Sequence, residues 1–280
     1  MSYEHLEARI AAWAVTHPDI CAIIAVGSQA RGDADIWSDL DLMLLTHDRE
    51  RYLESDWLHT FGTVWLMYKD STLPGDPEWF VIYEGGLKVD IVLLQVEEPS
   101  SNLEIVLQRY PYQGVFGRGV KVLFDQSGQA RSLPPRPAAL SAPPSLSDFD
   151  HVVNGFLVEA LTTAKFIARG DFWRAQHWLA YDLRPHLLRL MMWQAHGRDT
   201  WYNGRFLESW ADPHVVAALP ETFAIYERES LRTALRTLLD LCQLVGEDVA
   251  ARFHFSYPLE AHRHITHHID SLLEADGPST

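Results

Sequence analysis

Apolar residues recur along the chain in two rhythms, and the change from one to the other divides it. Leu6, Ile10, Trp13 and Ala14 fall at helical spacing after Ser2. This predicts an amphipathic helix that stops near His17-Pro18, where proline disfavours continuation. The rhythm then becomes that of a sheet. Ile20 to Val26, Leu40 to Leu45, Thr63 to Tyr68, Trp79 to Tyr83 and Leu87 to Leu94 are short runs of β-branched, aromatic and other apolar residues bounded by Gly, Pro and Asp. Asp48 to His59 has helical spacing, so the first part of the chain reads as mixed α and β. Gln126 to Ser147 is rich in Ser, Ala and Pro, with prolines at 134, 135, 137, 143 and 144, the composition of a linker. Beyond it Phe149 to Arg169, Phe172 to His196 and Thr222 to Val245 carry apolar residues three and four apart, separated by Gly170-Asp171, Gly197 and Gly246. The expectation is an α+β protein with a first domain over 1–130, a Pro-rich linker over 131–147 and a helical domain over 148–280.

Composition narrows what such a chain does. Of its 280 residues 47% are hydrophobic and 22% charged, which excludes disorder, and ten Trp, ten Tyr and twelve Phe exceed what a core alone needs. Twenty-three basic residues stand against 38 acidic ones, a net charge of −15. That balance argues against a grip on the nucleic-acid backbone or on anionic lipid and favours a cationic small substrate. Cys21 and Cys242 form no CxxC and no disulfide framework, which suits a reducing cytoplasm. The N-terminus has no apolar core of a signal peptide, and no apolar run reaches the roughly 18 residues of a membrane span, so a cytoplasmic location is expected.

The chemistry concentrates in one stretch. Gly27-Ser28 follows the first strand run and is succeeded by Gln29-Ala30-Arg31-Gly32. A turn of this kind exposes backbone N–H groups where glycine permits close approach, so it can cradle phosphate oxygens, although Gly-Ser turns are common. Asp39 and Asp41 lie two apart and therefore project from one face of a strand. Side-by-side carboxylates in a strand rich in Leu and Met repel one another unless a cation compensates, and Mg²⁺ takes carboxylate oxygens together with substrate phosphates. An exposed strand start would be the alternative for the pair. Asp90 stands inside another apolar run, where aspartate is depleted. Should that strand lie beside Leu40 to Leu45, three carboxylates converge, suited to a two-metal site with one acid left to take a proton. Glu84 is the rival for that base.

Gly27-Ser28, then Asp39-x-Asp41 followed by apolar residues, then a single Asp90 in a later strand resembles the DNA polymerase β-type nucleotidyltransferase superfamily. Within it, the chain is similar to the aminoglycoside 6-adenylyltransferase (streptomycin adenylyltransferase) group and the lincosamide nucleotidyltransferases. Gly119 to Asp125 resembles the strand that closes the family's catalytic domain, and Ala164 to Asp171 the segment joining the first helices of its second domain. The resemblance implies an N-terminal nucleotidyltransferase domain with a mixed sheet flanked by helices, a C-terminal α-helical bundle, and a cleft between them for ATP and antibiotic. It further implies that Gly27 and Ser28 hold the triphosphate, that Asp39 and Asp41 bind Mg²⁺, and that Asp90 is base, further metal ligand or both. Arg31 and Lys165 are candidates for phosphate contact. The implied reaction is Mg²⁺-dependent transfer of AMP from ATP to a hydroxyl of a streptomycin-like aminoglycoside. A lincosamide, a protein hydroxyl, or nucleotide binding without catalysis are the alternatives.

Other signals carry less. His262, His264, His267 and His268 lack the spacing of a four-ligand zinc site and read as an exposed terminal helix. There is no GxxxxGK[ST], HExxH or GxSxG motif. Trp173, Trp178, Trp193, Trp201, Tyr202 and Trp210 read mainly as core, while Glu159, Asp182 and Asp199 among them suit an amine-bearing ligand.

Overall fold

The computed structural model describes residues 2–31, 35, 37–97, 120–126, 128, 130, 142–198, 200 and 204–274. The chain forms two compact units, Met1–Ala139 and Leu140–Thr280. Residues 131–141, most of the expected linker, lie outside the described residues, as do 98–119.

The first unit opens with α1 (Tyr3–Ala14), where the Ser2 side chain accepts from the His5 N–H and supplies the missing N-terminal partner. Strands β1 (Ile20–Val26), β2 (Leu40–Thr46), β3 (Val64–Ser71), β4 (Pro77–Tyr83), β5 (Leu87–Gln95) and β6 (Lys121–Asp125) follow, with a five-residue helical turn α2 (Gly27–Arg31) directly after β1. They form one sheet in the order β3-β4-β5-β2-β1-β6. It is mixed, because β2 and β5 run parallel while the other neighbouring pairs are antiparallel. The five expected strands are all present, and β6 closes the edge beside β1 within the Gly119 to Asp125 segment.

Strand alternation sorts the side chains onto two faces. Leu40, Leu42, Leu44, Val89, Ile91 and Leu93 pack with Leu6, Ile10 and Ala14 of α1 and with Tyr52, Leu58 and Phe61. Burying each such large side chain contributes about 1.5–3 kcal/mol, so this face anchors the sheet. The opposite face carries a smaller cluster, Ala22, Ile24, Val26, Met43, Leu45, Val92 and Leu94. Its strands also bear Asp41, Lys88 and Asp90, which share the parity of that cluster.

The helix expected over Asp48 to His59 is instead two 3-10 turns, Arg49–Tyr52 and Asp56–Phe61. The Tyr52 carbonyl accepts from the indole N–H groups of Trp57 at 3.2 Å and Trp79 at 2.9 Å, and the Tyr52 hydroxyl bonds Asp19. These tertiary bonds take the carbonyl that a continuing helix would use.

The second unit is helical. Helix α3 (Leu146–Arg169) begins in a capping box between Ser145 and Asp148 and ends at Gly170, whose φ of +77° suits the left-handed cap. Then come α4 (Phe172–Trp178), a π-turn (Leu179–Leu183), α5 (Arg184–Gln194), the short α6 (Leu207–Trp210) and α7 (Pro213–Ala218), α8 (Arg228–Phe253) and α9 (Leu259–Glu274). Pro185, lacking an N–H, sits at the start of α5, which explains why the helix expected over Phe172 to His196 widens just before it. Gly246 does not separate helices but lies inside α8, where the Tyr257 ring occupies the space a side chain would need. Helix α9 is only partly the exposed helix expected. His264, His267 and His268 are exposed, but His262 is buried, its Nδ1 at 2.7 Å from the Tyr257 hydroxyl. Of the aromatics read as core, Trp193 and Trp210 are buried, Trp178 is half-buried and Trp173 is exposed. Trp201 and Tyr202 lie outside the described residues.

Candidate active site

The acids meet because β2 and β5 are parallel neighbours in one register. Asp41 pairs with Asp90, and Leu40 with Val89. Registered partners in adjacent strands lie about 4.8 Å apart and point the same way. Asp39 immediately precedes β2. Its loop is fixed by a turn in which the Ser38 hydroxyl and the Trp37 N–H both donate to Asp35 Oδ1, at 2.9 Å each.

On the far side of β2, β1 brings Val26 opposite Asp41. Gly27 then turns the chain with φ +72°, and a Cβ placed on it would stand 2.5 Å from Asp41 Oδ2. Glycine serves twice here: it takes a conformation that side-chain-bearing residues avoid, and it lets the turn rest against the carboxylate. Ser28 is next and is buried. N–H groups of a first helical turn lack intrahelical acceptors, so the start of α2 brings backbone donors toward Asp41. Arg31 ends α2, but its side chain lies outside the described part.

One cation is already among the acids. Lys88 Nζ donates to Asp39 Oδ2 at 2.9 Å and to Asp90 Oδ2 at 2.7 Å, and lies 5.9 Å from the centre of the Phe80 ring. Burial works against the Lys88 charge, but the hydrogen bonds and charges of Asp90 and Asp39 outweigh it and hold its pKa above the ordinary lysine range. The backbone of Lys88 is clamped by Tyr3, whose hydroxyl accepts from the Lys88 N–H at 3.1 Å and donates to its carbonyl at 3.3 Å. Asp90 is shifted upward, chiefly by burial, with Lys88 opposing. Its Oδ1 is buried and meets no hydrogen-bond partner among the described residues.

Glu78 adds a further carboxylate. It pairs with Val92, and its neighbour two residues on, Phe80, pairs with Asp90. Glu78 therefore shares the face of the acids. Burial, then repulsion from Asp90, Asp41 and Asp70, raises its pKa, with Lys88 opposing. Glu84, the rival base, sits instead in the exposed turn between β4 and β5.

The donors are of the kind a hard divalent ion takes: carboxylates on one face, one buried oxygen without a partner, and a demand for positive charge that Lys88 meets. Among the described residues no group of three or more His, Cys, Asp or Glu side chains is drawn together closely enough to hold a metal ion; the cation bridging Asp39 and Asp90 is the Lys88 ammonium. Lys165 belongs to the other unit, exposed on α3. In that unit Glu159 accepts from the Trp178 indole at 2.6 Å and Asp182 lies in the π-turn. Asp199 is outside the described residues. Lys88 and Glu78 were not singled out from the sequence. The signal for Lys88 was parity, since it stands two residues before Asp90 in a strand; Glu78, at the margin of its apolar run, gave none.

A mixed sheet, a helical second unit and a Gly-Ser turn packed against paired strand carboxylates are the features that the resemblance in the sequence implied. The chain belongs to the streptomycin adenylyltransferase family, whose model matches residues 1–272. It is similar to an aminoglycoside 6-adenyltransferase from Bacillus subtilis at 18% identity, over 98% of this chain and 100% of that one, with a TM-score of 0.47. It is also similar to a nucleotidyltransferase-like protein from Exiguobacterium sibiricum 255-15 at 17% identity, over 89% of this chain and 78% of that one, with a TM-score of 0.39. No curated protein matches it. Family membership implies ATP as co-substrate. Among the described residues no helix is long and apolar enough to cross a membrane.

Proposed function

We propose that this adenylyltransferase transfers AMP from ATP to a hydroxyl of an aminoglycoside, streptomycin-like in character, with Mg²⁺ as cofactor. The observation that carries the reading is the registered pair Asp41 and Asp90 beside the Gly27 turn, in a chain of this family. In this reading residues 1–130 carry the chemistry and 148–280 hold the drug.

The acceptor hydroxyl attacks the α-phosphorus. A new P–O bond forms, the bond to the bridging oxygen breaks, and pyrophosphate leaves. Gly27 and Ser28 hold the triphosphate on backbone N–H groups and a hydroxyl, with Arg31 and Lys165 as further phosphate contacts. Asp39, Asp41 and Asp90 would hold Mg²⁺, which when bound neutralises charge on the phosphate oxygens. Asp90 has a second part: its buried Oδ1, without a hydrogen-bond partner among the described residues, and its raised pKa fit it to accept the hydroxyl proton. Glu159 and Asp182, among aromatic side chains, suit the ammonium groups of the drug. A net charge of −15 favours such a cation.

Mass spectrometry of the purified protein with ATP, Mg²⁺ and separate drugs tests this. Streptomycin or a related aminoglycoside is expected to gain the mass of AMP. Modification of lincomycin alone would reassign the substrate, and no modified drug despite tight nucleotide binding would point to a protein acceptor or to binding without turnover.

A further inference from the structure

Lys88 stands where the proposed metal reading has a use for positive charge. Its ammonium spans Asp39 Oδ2 and Asp90 Oδ2 at 2.9 and 2.7 Å, and so takes one oxygen from each of two carboxylates assigned to Mg²⁺. The side chain is held at both ends. Tyr3 grips its backbone N–H and carbonyl, and Phe80 lies beneath the ammonium. A lysine on a solvated sheet edge would show neither restraint. The ammonium and a divalent ion draw on the same negative charge, while each carboxylate keeps its second oxygen, Asp90 Oδ1 being without a hydrogen-bond partner among the described residues.

We propose that Lys88 is an internal placeholder cation: it neutralises Asp39 and Asp90 before the metal arrives, and its charge opposes the metal's binding. The inference rests on the metal reading above. Lys88 is accordingly a positioning residue that sets metal affinity through charge. Two consequences differ in sign from those of a merely structural lysine. Removing the charge takes away the Lys88 share of the compensation at Asp39 and Asp90, so the divalent ion binds more tightly, whereas loss of a structural strut would loosen the acids and weaken binding. A variant that keeps the charge leaves affinity close to that of the wild type.

The experiment is Mn²⁺ binding to the full chain without nucleotide, followed by electron paramagnetic resonance of the free ion, for wild type, Lys88→Met, Lys88→Arg and Asp41→Asn. Circular dichroism verifies that each is folded. The expected result is affinity about tenfold or more tighter in Lys88→Met and within about twofold of wild type in Lys88→Arg, because adding net negative charge at a carboxylate site strengthens its hold on a divalent ion. Unchanged or weaker binding in folded Lys88→Met, or equal tightening in Lys88→Arg, overturns the placeholder role while leaving the metal site standing. Should Lys88→Met not fold, Lys88→Gln takes its place with the same expected sign. Absence of Mn²⁺ binding in every protein, or binding that Asp41→Asn does not weaken, overturns the metal reading itself and the inference with it.

Discussion

Gly27→Ala separates the stability of the turn from its function. Gly27 has φ +72°, and its added Cβ would lie 2.5 Å from Asp41 Oδ2. Gly85, in the β4–β5 turn, has φ +91° with nothing within 4 Å of the same added atom. Both substitutions impose left-handed backbone strain of about 1–2 kcal/mol. In a unit of this size that lowers Tm by on the order of 5 °C. Only Gly27→Ala also meets a neighbour, and the neighbour is the end of a side chain that can turn away. The collision therefore adds little to the stability loss. It instead displaces the Asp41 carboxylate by about 1 Å, a misplacement that costs roughly 10²-fold in rate at a catalytic centre. The two variants should unfold at similar urea concentrations yet differ about 10²-fold in kcat/KM for AMP transfer, followed by pyrophosphate release well below Tm. Wild-type turnover in Gly27→Ala, or an equal loss in Gly85→Ala, would refute the close-approach reasoning.

Two further substitutions probe packing and charge. Glu78→Gln should raise Tm at pH 7, because the native environment lifts the Glu78 pKa through burial and through Asp90, Asp41 and Asp70, so its ionisation above that pKa costs stability. The gain should vanish as pH falls below the ordinary glutamate range, where the carboxyl is protonated in both states; a Tm difference independent of pH would sink the idea. Gly246→Ala forces a methyl into the Tyr257 ring, which its hydrogen bond to His262 holds in place. Overpacking of about 1–3 kcal/mol then exceeds the roughly 1 kcal/mol that alanine contributes to a helix. Urea denaturation should show net destabilisation, and a stabilised variant would contradict the packing.

Much of the candidate site's geometry was legible before the fold, for a simple reason. Asp39 and Asp41 announce a shared face by their spacing, and Asp90 announces itself as an acid where strands avoid one. Their convergence was conditional, because no local pattern states that β2 and β5 are parallel neighbours while the antiparallel β3–β4 hairpin intervenes in sequence. Lys88 obeyed the same parity rule, two residues before Asp90, yet was not singled out. The departures arose where tertiary partners override local preference. The Tyr52 carbonyl goes to two tryptophans rather than to a helix, the Tyr257 ring settles on Gly246, and His262 turns inward to the Tyr257 hydroxyl. A helix-period pattern records which residues are apolar, not which long-range partner claims a given backbone or ring.

The most direct measurement of the central claim compares wild type with Asp41→Asn and Asp90→Asn, quantifying AMP attached to streptomycin by mass while circular dichroism monitors the fold. Each carboxylate lost should lower the rate by about 10²–10⁴, the scale of a removed electrostatic group at a reacting centre. Folded variants that still modify the drug at the wild-type rate would contradict the assignment of the chemistry to the paired carboxylates of β2 and β5.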